Sequence, residues 1–464
     1  MFLGLAHSGN APALIDDCSA AWVSYRQLAD AVMQTGERLE SLADRPLVFL
    51  FAANSIEACV CYLSALACGG AIALFTDTLP PGRADALIAL YRPHVVIGHA
   101  PAEGYGETPG LPIPAWRRTD PDSPKLHPDL AVLLSTSGST GSPKLVRLSR
   151  KAVCANAMAI MAALRISEPD RSALNLPLSY SYGLSVLNSH LLAGASVVLT
   201  GHGITSKPFW QRLAEERVTS MPGVPSVYEV LRRLGFDKVI PDSLTTLTQA
   251  GGKLGDGLIG HFHDAMAARG GQMFVMYGAT EATARMAVLP PELLPTKLGA
   301  AGQALPGGRF EISNGTLPGE VIYHGPNVMM GYAETAEDLA VGDVLGGTLL
   351  TGDLGRLDED GVLWITGRAK RIAKVNGLRL NLDEIEAQTA TMFSLTAAVE
   401  GANQLVLVME TDSAHSTEIR RRLAAAFALP ANAVRLHCVP SLPLSANGKI
   451  DRAAIEALLA CPTS

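Results

Sequence analysis

The sequence predicts an α/β fold in which parallel strand–helix–strand units form the larger part of the chain. The apolar run 46–51 is typical of a buried strand, residues 55–68 of a helix, and the run 71–75 of the next strand. The same alternation recurs over residues 158–200 and again over residues 209–249. Because 464 residues exceed what one ordinary core holds, we expect a large N-terminal domain made of several subdomains.

The clearest domain boundary is the short polar segment 367–371, which reads Gly-Arg-Ala-Lys-Arg. Beyond it lies a segment of about a hundred residues with strand and helix patterns of its own, a size typical of the smallest independent domains. We therefore predict an N-terminal domain over residues 1–367 and a smaller α+β C-terminal domain over residues 371–464.

Composition and charge argue against several classes of function. The net charge of −7 is mild and the sequence has no stripe of Lys and Arg, so we expect no nucleic-acid partner. The longest apolar stretches are interrupted by polar residues such as Asn54 and Asn188, so we expect no membrane span. The start of the chain lacks the basic region and the long apolar stretch of a secretory signal, and we expect a cytoplasmic protein.

Cysteines and histidines show no metal-binding pattern. The seven cysteines are scattered without a Cys-x-x-Cys pair, which is typical of reduced thiols in a reducing compartment. Among the eleven histidines, His261 and His263 come closest to a ligand spacing, but no third partner lies near them in the sequence. We therefore expect no structural metal.

A loop rich in hydroxyls and glycines, residues 135–144, follows the apolar run 131–134. Glycines let backbone N–H groups turn inward, hydroxyls donate to phosphate oxygens, and the terminal Lys144 adds a positive charge. The loop is not a Walker loop, because Pro143 precedes the lysine. A disordered Ser/Gly linker is the alternative, but the strand-like run that enters the loop argues against it. The candidate phosphate-binding residues are Ser135, Thr136, Ser137, Gly138, Ser139, Thr140, Gly141 and Lys144.

Four further short motifs follow the loop in fixed order. They are Tyr277-Gly278-Ala279-Thr280-Glu281, Thr351-Gly352-Asp353, Gly367-Arg368 and Asn447-Gly448-Lys449. Together with the loop, they resemble the adenylate-forming superfamily of acyl-CoA and aryl-CoA synthetases, peptide-synthetase adenylation domains and luciferases, and the resemblance covers nearly the whole chain. It implies an AMP-binding enzyme that uses ATP to convert a carboxylic acid into an acyl-adenylate, releases pyrophosphate, and passes the acyl group to a thiol.

The resemblance implies a role in phosphate binding for three parts of the chain. The loop with Lys144 would close over the β- and γ-phosphates, and Thr280 would bind the α-phosphate. Glu281 would hold Mg²⁺, a cation that prefers carboxylate and phosphate oxygens. The alternative for Glu281 is a carboxylate at a helix N-terminus that interacts with the helix macrodipole.

The nucleoside part of ATP has candidate residues of its own. Tyr277 offers a flat face for adenine, and Gly251 and Gly252 would let a ligand lie against bare backbone. A simple Gly-Gly turn is the alternative for the two glycines. Asp353 fits recognition of both ribose hydroxyls, and Arg368 can add a donor.

The C-terminal segment carries the residues that the resemblance connects with a change between two half-reactions. Lys449 resembles the family's adenylation lysine, which reaches the carboxylate and α-phosphate oxygens. Residues 368–370 match the family's hinge, with Lys370 at the pivot, so the C-terminal domain is expected to be mobile. After rotation, Gly377 would edge the tunnel through which the thiol approaches.

The pocket for the acid departs from the family pattern at Tyr180. Acyl-CoA and aryl-CoA synthetases carry His there, and amino-acid adenylation domains place an Asp at about this point to pair with the substrate ammonium. Tyr180 has no charge at neutral pH, so we expect a carboxylic acid without an α-amino group. The candidate pocket residues are Tyr180, Tyr182, Gly251, Gly252, Met276 and Ala282.

We therefore predict an AMP-forming acid–thiol ligase that uses ATP, Mg²⁺ and CoA. Because the chain ends fifteen residues after Lys449, we expect the acceptor to arrive in trans, either as CoA or as the phosphopantetheine of a carrier protein. Two alternatives stay open at this point. One is a free-standing adenylation enzyme that loads an acyl or amino acid onto a carrier protein, and the other is a degenerate nucleotide-binding protein without activity.

Overall fold

A computed structural model gives the fold, and its elements cover most of the chain. It describes residues 9–19, 21–120, 124–135, 144–313, 318–368, 371–375, 378–393, 395–401, 404–411, 416–427, 429–445 and 450–460. The helices are α1 (Tyr25–Leu42), α2 (Ile56–Ala67), α3 (Pro81–Tyr91), α4 (Arg150–Leu164), α5 (Ser181–Leu192), α6 (Lys207–Glu215), α7 (Pro225–Leu234), α8 (Phe236–Val239), α9 (Asp256–Ala267), α10 (Leu382–Met392), α11 (Ser416–Ala426) and α12 (Arg452–Ala460). The strands are β1 (Pro12–Asp16), β2 (Trp22–Ser24), β3 (Leu47–Phe51), β4 (Ala71–Phe75), β5 (Val95–Ile97), β6 (Tyr105–Thr108), β7 (Ala115–Arg118), β8 (Leu130–Ser135), β9 (Leu145–Ser149), β10 (Arg171–Leu174), β11 (Ser196–Leu199), β12 (Ser220–Gly223), β13 (Thr246–Gln249), β14 (Gln272–Tyr277), β15 (Ala287–Leu289), β16 (Gln303–Ala304), β17 (Arg309–Ile312), β18 (Gly319–His324), β19 (Gly331–Ala333), β20 (Thr348–Leu357), β21 (Leu363–Arg368), β22 (Ile372–Val375), β23 (Leu378–Asn381), β24 (Thr396–Gly401), β25 (Gln404–Glu410) and β26 (Val434–Val439).

Two large mixed sheets form the N-terminal part of the chain. One has the strand order β19-β9-β8-β4-β3-β5-β7-β6, and the other has the order β16-β15-β14-β13-β12-β10-β11-β1-β2. Their central strands are parallel, as in the pairs β3 with β4 and β13 with β14. Every residue of β3 is buried, which fits a strand covered on both faces. The predicted α/β class is confirmed.

The predicted strand–helix–strand unit near the N-terminus has nearly the predicted bounds in β3, α2 and β4. Its helix begins after Ser55, whose side chain accepts a hydrogen bond from the backbone N–H of Ala58 at 3.1 Å. Cys59 and Cys61 lie fully buried inside α2. Their surroundings are apolar, and they act as small hydrophobic side chains.

A smaller sheet of four antiparallel strands, in the order β17-β18-β20-β21, follows the second large sheet in the sequence. Strands β20 and β21 are neighbours in it, and their register places Asp353 opposite Arg368. Two motifs that lie fifteen residues apart in the sequence are thereby brought side by side.

The C-terminal segment has a two-stranded sheet of β22 and β23, a three-stranded sheet of β24, β25 and β26, and three helices. Its buried apolar residues cluster with one another, for example Ala373 with Leu405 and Leu423. A core of its own accords with the predicted smaller domain, whereas the boundary at residue 367 stays a prediction. Within the described ranges, no helix combines the length and the apolar character needed to cross a membrane.

Candidate active site

Tyr277, Asp353 and Arg368 meet where three strands end or pass close to one another. Tyr277 is the last residue of β14, Asp353 lies within β20, and Arg368 is the last residue of β21. The Tyr277 hydroxyl donates to Asp353 Oδ2, and Arg368 Nε donates to Asp353 Oδ1 at 2.8 Å. The Asp353 carboxylate is therefore oriented from both sides, and three of the residues predicted to bind the nucleoside lie together.

The contact with Tyr277 shows a role for its hydroxyl that the sequence did not indicate. Burial, followed by the nearby charge of Asp353, raises the pKa of Tyr277 well above its ordinary value. The hydroxyl therefore keeps its proton and remains a donor to the carboxylate. The Tyr277 ring lies near the Phe310 ring, with ring centroids 6.3 Å apart and ring planes tilted by 45°. The predicted stacking of adenine on Tyr277 stays a prediction.

Thr280 and Glu281 lie on a short 3₁₀ turn, Thr280–Ala282, which begins three residues after Tyr277. The Tyr332 hydroxyl donates to Glu281 Oε1 at 2.8 Å. Lys144 Nζ lies 4.0 Å from the centroid of the same Tyr332 ring, within the range of a cation–π contact. Tyr332 thus brings the predicted phosphate lysine and the predicted metal ligand to one place.

Sheet pairing explains how Lys144 reaches Tyr332. Lys144 directly precedes β9, and β9 pairs antiparallel with β19, which contains Tyr332 opposite Val146. Burial and the nearby carboxylate of Glu281 raise the pKa of Tyr332 above its ordinary value, so the hydroxyl remains a donor. No spacing in the sequence marks Tyr332, because 51 residues separate it from Glu281.

The turn that carries Thr280 and Glu281 is held by backbone geometry and by Asn327. A Cβ atom at Gly278 would lie 1.7 Å from the carbonyl oxygen of Ala284, so only glycine fits there. The buried Asn327 side chain donates to the carbonyl oxygens of Ala282 at 2.8 Å and Arg285 at 2.9 Å. The Glu281 carboxylate accepts a hydrogen bond from Tyr332 within the first turn of this short helix, and the choice between metal ligand and macrodipole partner stays a prediction.

Thr280 also meets the start of helix α5. Its Oγ1 lies 3.2 Å from Ser181 Oγ, and Ser181 is the first residue of the helix. The first backbone N–H groups of a helix have no partner within the helix and favour an anion. Ser181 is therefore a candidate site residue that the sequence reasoning missed.

The predicted pocket residues lie next to this helix start. Gly251 has a φ of +85°, and a Cβ atom there would lie 2.5 Å from the Tyr180 hydroxyl, so backbone and packing both require glycine. The Tyr182 hydroxyl donates to the carbonyl oxygen of Thr248 at 2.9 Å. The carbonyl oxygen of Gly252 accepts a hydrogen bond from Gln249 Nε2 at 2.8 Å. One large apolar cluster includes four buried residues of the predicted pocket, Tyr180, Tyr182, Met276 and Ala282.

Several predicted site residues lie outside the described residues. Ser135 is described and lies exposed at the end of β8. The predicted site residues that lie outside the described residues are Thr136, Ser137, Gly138, Ser139, Thr140, Gly141, Lys370, Gly377 and Lys449. Their predicted roles in phosphate binding, in the hinge, in the thiol tunnel and in adenylation stay predictions.

Away from this site, Asp17, Cys18 and His202 bring three possible metal-ligand atoms within 4.8 Å of one another. The sequence did not indicate this group, because 184 residues separate Cys18 from His202. Asp17 Oδ1 accepts hydrogen bonds from Gly201 N at 2.8 Å and from Cys18 Sγ at 3.2 Å. These hydrogen bonds account for the position of Asp17 Oδ1, whereas the buried Asp17 Oδ2 has no hydrogen-bond partner among the described residues.

Comparison with known proteins settles the family. The family model described as AMP-binding enzyme matches residues 4–333, which is most of the chain. The chain belongs to this family. The predicted resemblance is therefore confirmed, and the motif from Tyr277 to Glu281 lies within the matched residues.

Two curated relatives and one solved structure illustrate the likeness. The chain is 29% identical to an oxalate–CoA ligase of Arabidopsis thaliana over 70% of this chain and 67% of that protein. It is 28% identical to a 2-succinylbenzoate–CoA ligase of Bacillus velezensis over 71% of this chain and 69% of that protein. The crystal structure of ATP-bound MatB from Rhodopseudomonas palustris has the same fold, with a TM-score of 0.79, 21% identity and 99% of both chains covered. The aligned region spans about two thirds of the two ligases' lengths.

Proposed function

We propose that the chain is an ATP-dependent, AMP-forming ligase that joins a carboxylic acid to CoA. Family membership and the CoA ligases among its relatives support this activity and its need for ATP, Mg²⁺ and CoA. The observation that carries the proposal is that two groups of predicted nucleotide-binding residues lie together at the end of strand β14. Tyr277 meets Asp353 there, and the turn with Thr280 and Glu281 follows three residues later.

The residues present fit Mg²⁺ bound together with ATP. Glu281 Oε1 is oriented by Tyr332, while no hydrogen bond to Glu281 Oε2 is found among the described residues. A half-buried carboxylate with one open oxygen, next to the Thr280 hydroxyl, is a suitable hard-oxygen ligand set. When bound, Mg²⁺ would neutralise charge on the phosphate oxygens.

The chemistry has two half-reactions at one site. In the first, a carboxylate oxygen of the acid attacks the α-phosphorus, and the bond to the departing pyrophosphate breaks. Thr280 donates a hydrogen bond to an α-phosphate oxygen, and Lys144 neutralises negative charge on pyrophosphate. Asp353 accepts hydrogen bonds from the ribose hydroxyls. In the second, the thiol sulfur attacks the acyl carbon and AMP leaves. Lys449, Lys370 and Gly377 keep their predicted parts in these two steps.

The acid itself is proposed to lack an α-amino group. Tyr180 is buried beside Gly251, and burial raises its pKa, so it offers an uncharged hydroxyl and no carboxylate for an ammonium group. An ammonium brought there without a partner would be penalised by desolvation. We expect acids without this group to be preferred by roughly a hundredfold or more in kcat/KM.

Pyrophosphate exchange with paired acids tests the proposal. Benzoate and a medium-chain fatty acid are compared with phenylalanine and leucine, and the product assay then offers CoA or a phosphopantetheinyl carrier protein. Exchange with a simple acid and thioester formation on CoA is the expected result. Exchange with amino acids alone would instead support the carrier-loading alternative. If none of the tested acids supports exchange, the result would support the inactive nucleotide-binding alternative.

The absence of a nucleic-acid partner and a cytoplasmic location stay predictions from composition.

A further inference from the structure

Arg285 is a buried arginine without an acidic partner among the described residues. Its residue exposure is 2%, and its side chain hydrogen-bonds to Ser185 Oγ, from Nη1 at 3.2 Å, and to the Tyr182 side chain. The guanidinium also lies over the Tyr182 ring, 4.2 Å from the centroid. A guanidinium has five N–H donors, so this environment leaves most of them unused.

The other buried arginine of similar exposure shows what a structural role looks like. Arg147 is also 2% exposed, but its guanidinium donates to backbone carbonyl oxygens of Tyr332, Val341 and Met330. Carbonyl oxygens on several sides compensate the loss of water around that charge. Arg285 lacks such compensation from the described residues, because aromatic and hydroxyl contacts cover only part of its guanidinium.

The position of Arg285 is nevertheless fixed. Its own carbonyl oxygen accepts hydrogen bonds from Asn156 Nδ2 and from Asn327 Nδ2, both at 2.9 Å. The same Asn327 holds the turn that carries Thr280 and Glu281. The backbone of Arg285 is therefore held in a defined place relative to the turn that carries Thr280 and Glu281, although its charge has no acidic partner among the described residues.

A small cavity with a mixed polar and apolar lining lies next to Arg285. Its volume is about 50 Å³, and polar residues of its lining include Arg285, Ser189, His190, Ser220 and Thr248. At about 15 Å³ for each water-sized group, the cavity holds roughly three such groups, comparable with the three heavy atoms of a carboxylate. It is too small for a long aliphatic tail.

The other titratable residues that line this cavity are a neutral histidine, an aspartate and an exposed arginine. Arg285 therefore supplies the buried positive charge of the cavity. His190 Nδ1 lies 2.8 Å from the carbonyl oxygen of Val186, and burial lowers the pKa of His190 to about 4, so the ring is neutral at pH 7. Asp170, at another part of the lining, accepts hydrogen bonds from Ser167 and Thr219 and makes no described ion pair with Arg285. The exposed Arg165 is paired with Glu292 at 2.7 Å.

Helix α5 sets the distance between Arg285 and the reacting end of the site. Ser181 Oγ lies 3.2 Å from Thr280 Oγ1, and Ser185, one turn later on the same face, contacts Arg285. Four residues of helix rise by about 6 Å. With carbon–carbon bonds of about 1.5 Å, this separation corresponds to a chain of roughly four to six carbons.

We propose that Arg285 binds a second carboxylate of the acid substrate, so that the preferred substrates are short dicarboxylic acids. This inference rests on the proposed function. One carboxylate is activated beside Thr280 and Ser181, the chain of the acid runs along the Tyr182 side of α5, and the other carboxylate meets Arg285. A planar guanidinium gives a carboxylate two parallel hydrogen bonds, which suits the unused donors. Arg285 is thus a specificity-determining residue.

The test compares glutarate with pentanoate, which has the same number of carbons but lacks the second carboxylate. Wild-type protein should support pyrophosphate exchange with glutarate at a kcat/KM at least tenfold above that with pentanoate. Arg285→Gln should lower kcat/KM for glutarate by about 10- to 100-fold, the loss expected for hydrogen bonds to a charged group. It should leave pentanoate within about threefold, and Arg285→Lys should restore part of the preference.

Two results would overturn the assignment of Arg285. One is a wild-type preference for pentanoate over glutarate, and the other is an equal loss of both substrates in Arg285→Gln. Arg147→Gln is the matched control for removing a buried arginine, because it should lower Tm without changing the ratio of the two substrates. If Arg285→Gln does not fold, Ser185→Ala keeps the charge and removes its hydroxyl partner, and it should still reduce the glutarate preference severalfold.

A binding measurement separates this inference from the proposed function. Glutarate alone, without ATP, should raise the Tm of wild-type protein and should not raise that of Arg285→Gln, whereas pentanoate should raise neither. Absence of exchange with every acid would contradict the ligase activity, and the Tm shift would then decide on the Arg285 site by itself. An equal Tm shift with glutarate in both proteins would refute the role of Arg285.

Discussion

Replacing Tyr277 by Phe should weaken ATP binding more than it weakens the fold. The change removes the hydroxyl that donates to Asp353 Oδ2 and leaves the ring against Phe310. Asp353 is 6% exposed, so water can replace the lost hydrogen bond only poorly. Arg368 remains as its donor on the other oxygen, at 2.8 Å. In the variant, the Asp353 carboxylate is therefore oriented from one side only. This should make it a poorer acceptor of hydrogen bonds from the ribose hydroxyls.

The expected size follows from the charge on the acceptor. A hydrogen bond to a charged group contributes about 1.5–3 kcal/mol, which corresponds to roughly 10- to 150-fold in an equilibrium constant. Part of this loss is recovered when ribose hydroxyls reach the freed oxygen, so we expect KM for ATP to rise about 10-fold, toward the lower end of that range. KM for the acid should stay within about twofold, because the Tyr277 hydroxyl does not contact the predicted acid pocket.

The assay is pyrophosphate exchange at varied ATP, together with thermal unfolding of the protein without ligands. Tyr25→Phe is the matched control, because Tyr25 is also buried and its hydroxyl donates to the carbonyl oxygen of Ala195 at 2.7 Å, away from the site. The control should lower Tm and leave KM for ATP unchanged. If Tyr277→Phe behaves as the control does, Tyr277 acts only in folding and the argument from Asp353 is wrong.

Three further predictions concern the metal ligand, the distant lysine and a buried histidine. Glu281→Gln should raise the Mg²⁺ concentration needed for half-maximal exchange with little change in Tm; a large fall in Tm with unchanged Mg²⁺ dependence would favour a structural role. Lys449→Ala should slow adenylate formation by about 10²- to 10³-fold and leave thioester formation from supplied acyl-adenylate nearly unchanged, and equal losses in both steps would refute its assignment. Burial lowers the pKa of His190 from 6.5 to about 4, so its neutral form stabilises the fold fully above pH 6.5 and this stability is lost as the pH falls toward 4. The loss should reach about 3 kcal/mol and be absent in His190→Gln, as measured by urea unfolding at each pH; identical acid profiles would contradict a buried neutral His190.

Local sequence was sufficient for the elements and motifs that depend on neighbouring residues. The strand β3, the helix α2 and the strand β4 have nearly the bounds that their apolar runs predicted. The motif that ends at Glu281 follows a buried strand, as predicted, and Gly251 has the positive φ that favours glycine. Short-range periodicity and backbone preference suffice here because each involves only residues close in the chain.

The contacts that define the site could not be predicted in this way. The partner of Asp353 on strand β14 is 76 residues away, and the partner of Glu281 on β19 is 51 residues away. Arg285 gave one signal that could have been used, since it is a charged residue inside the otherwise largely apolar segment 282–289. Its missing acidic partner, however, can be recognised only once the residues around it are known.

The sequence by itself therefore determined the α/β class and the family, and it predicted the residue types that would bind phosphate, ribose and metal. Tertiary structure decided which of these side chains meet, because strand order in the sheets is set by packing of the whole chain and not by local pattern. It placed the Tyr277 hydroxyl on Asp353, set Tyr332 between Lys144 and Glu281, and buried Arg285 beside a small cavity. Burial gives these contacts their chemical meaning, since a charge removed from water must be met by a specific partner.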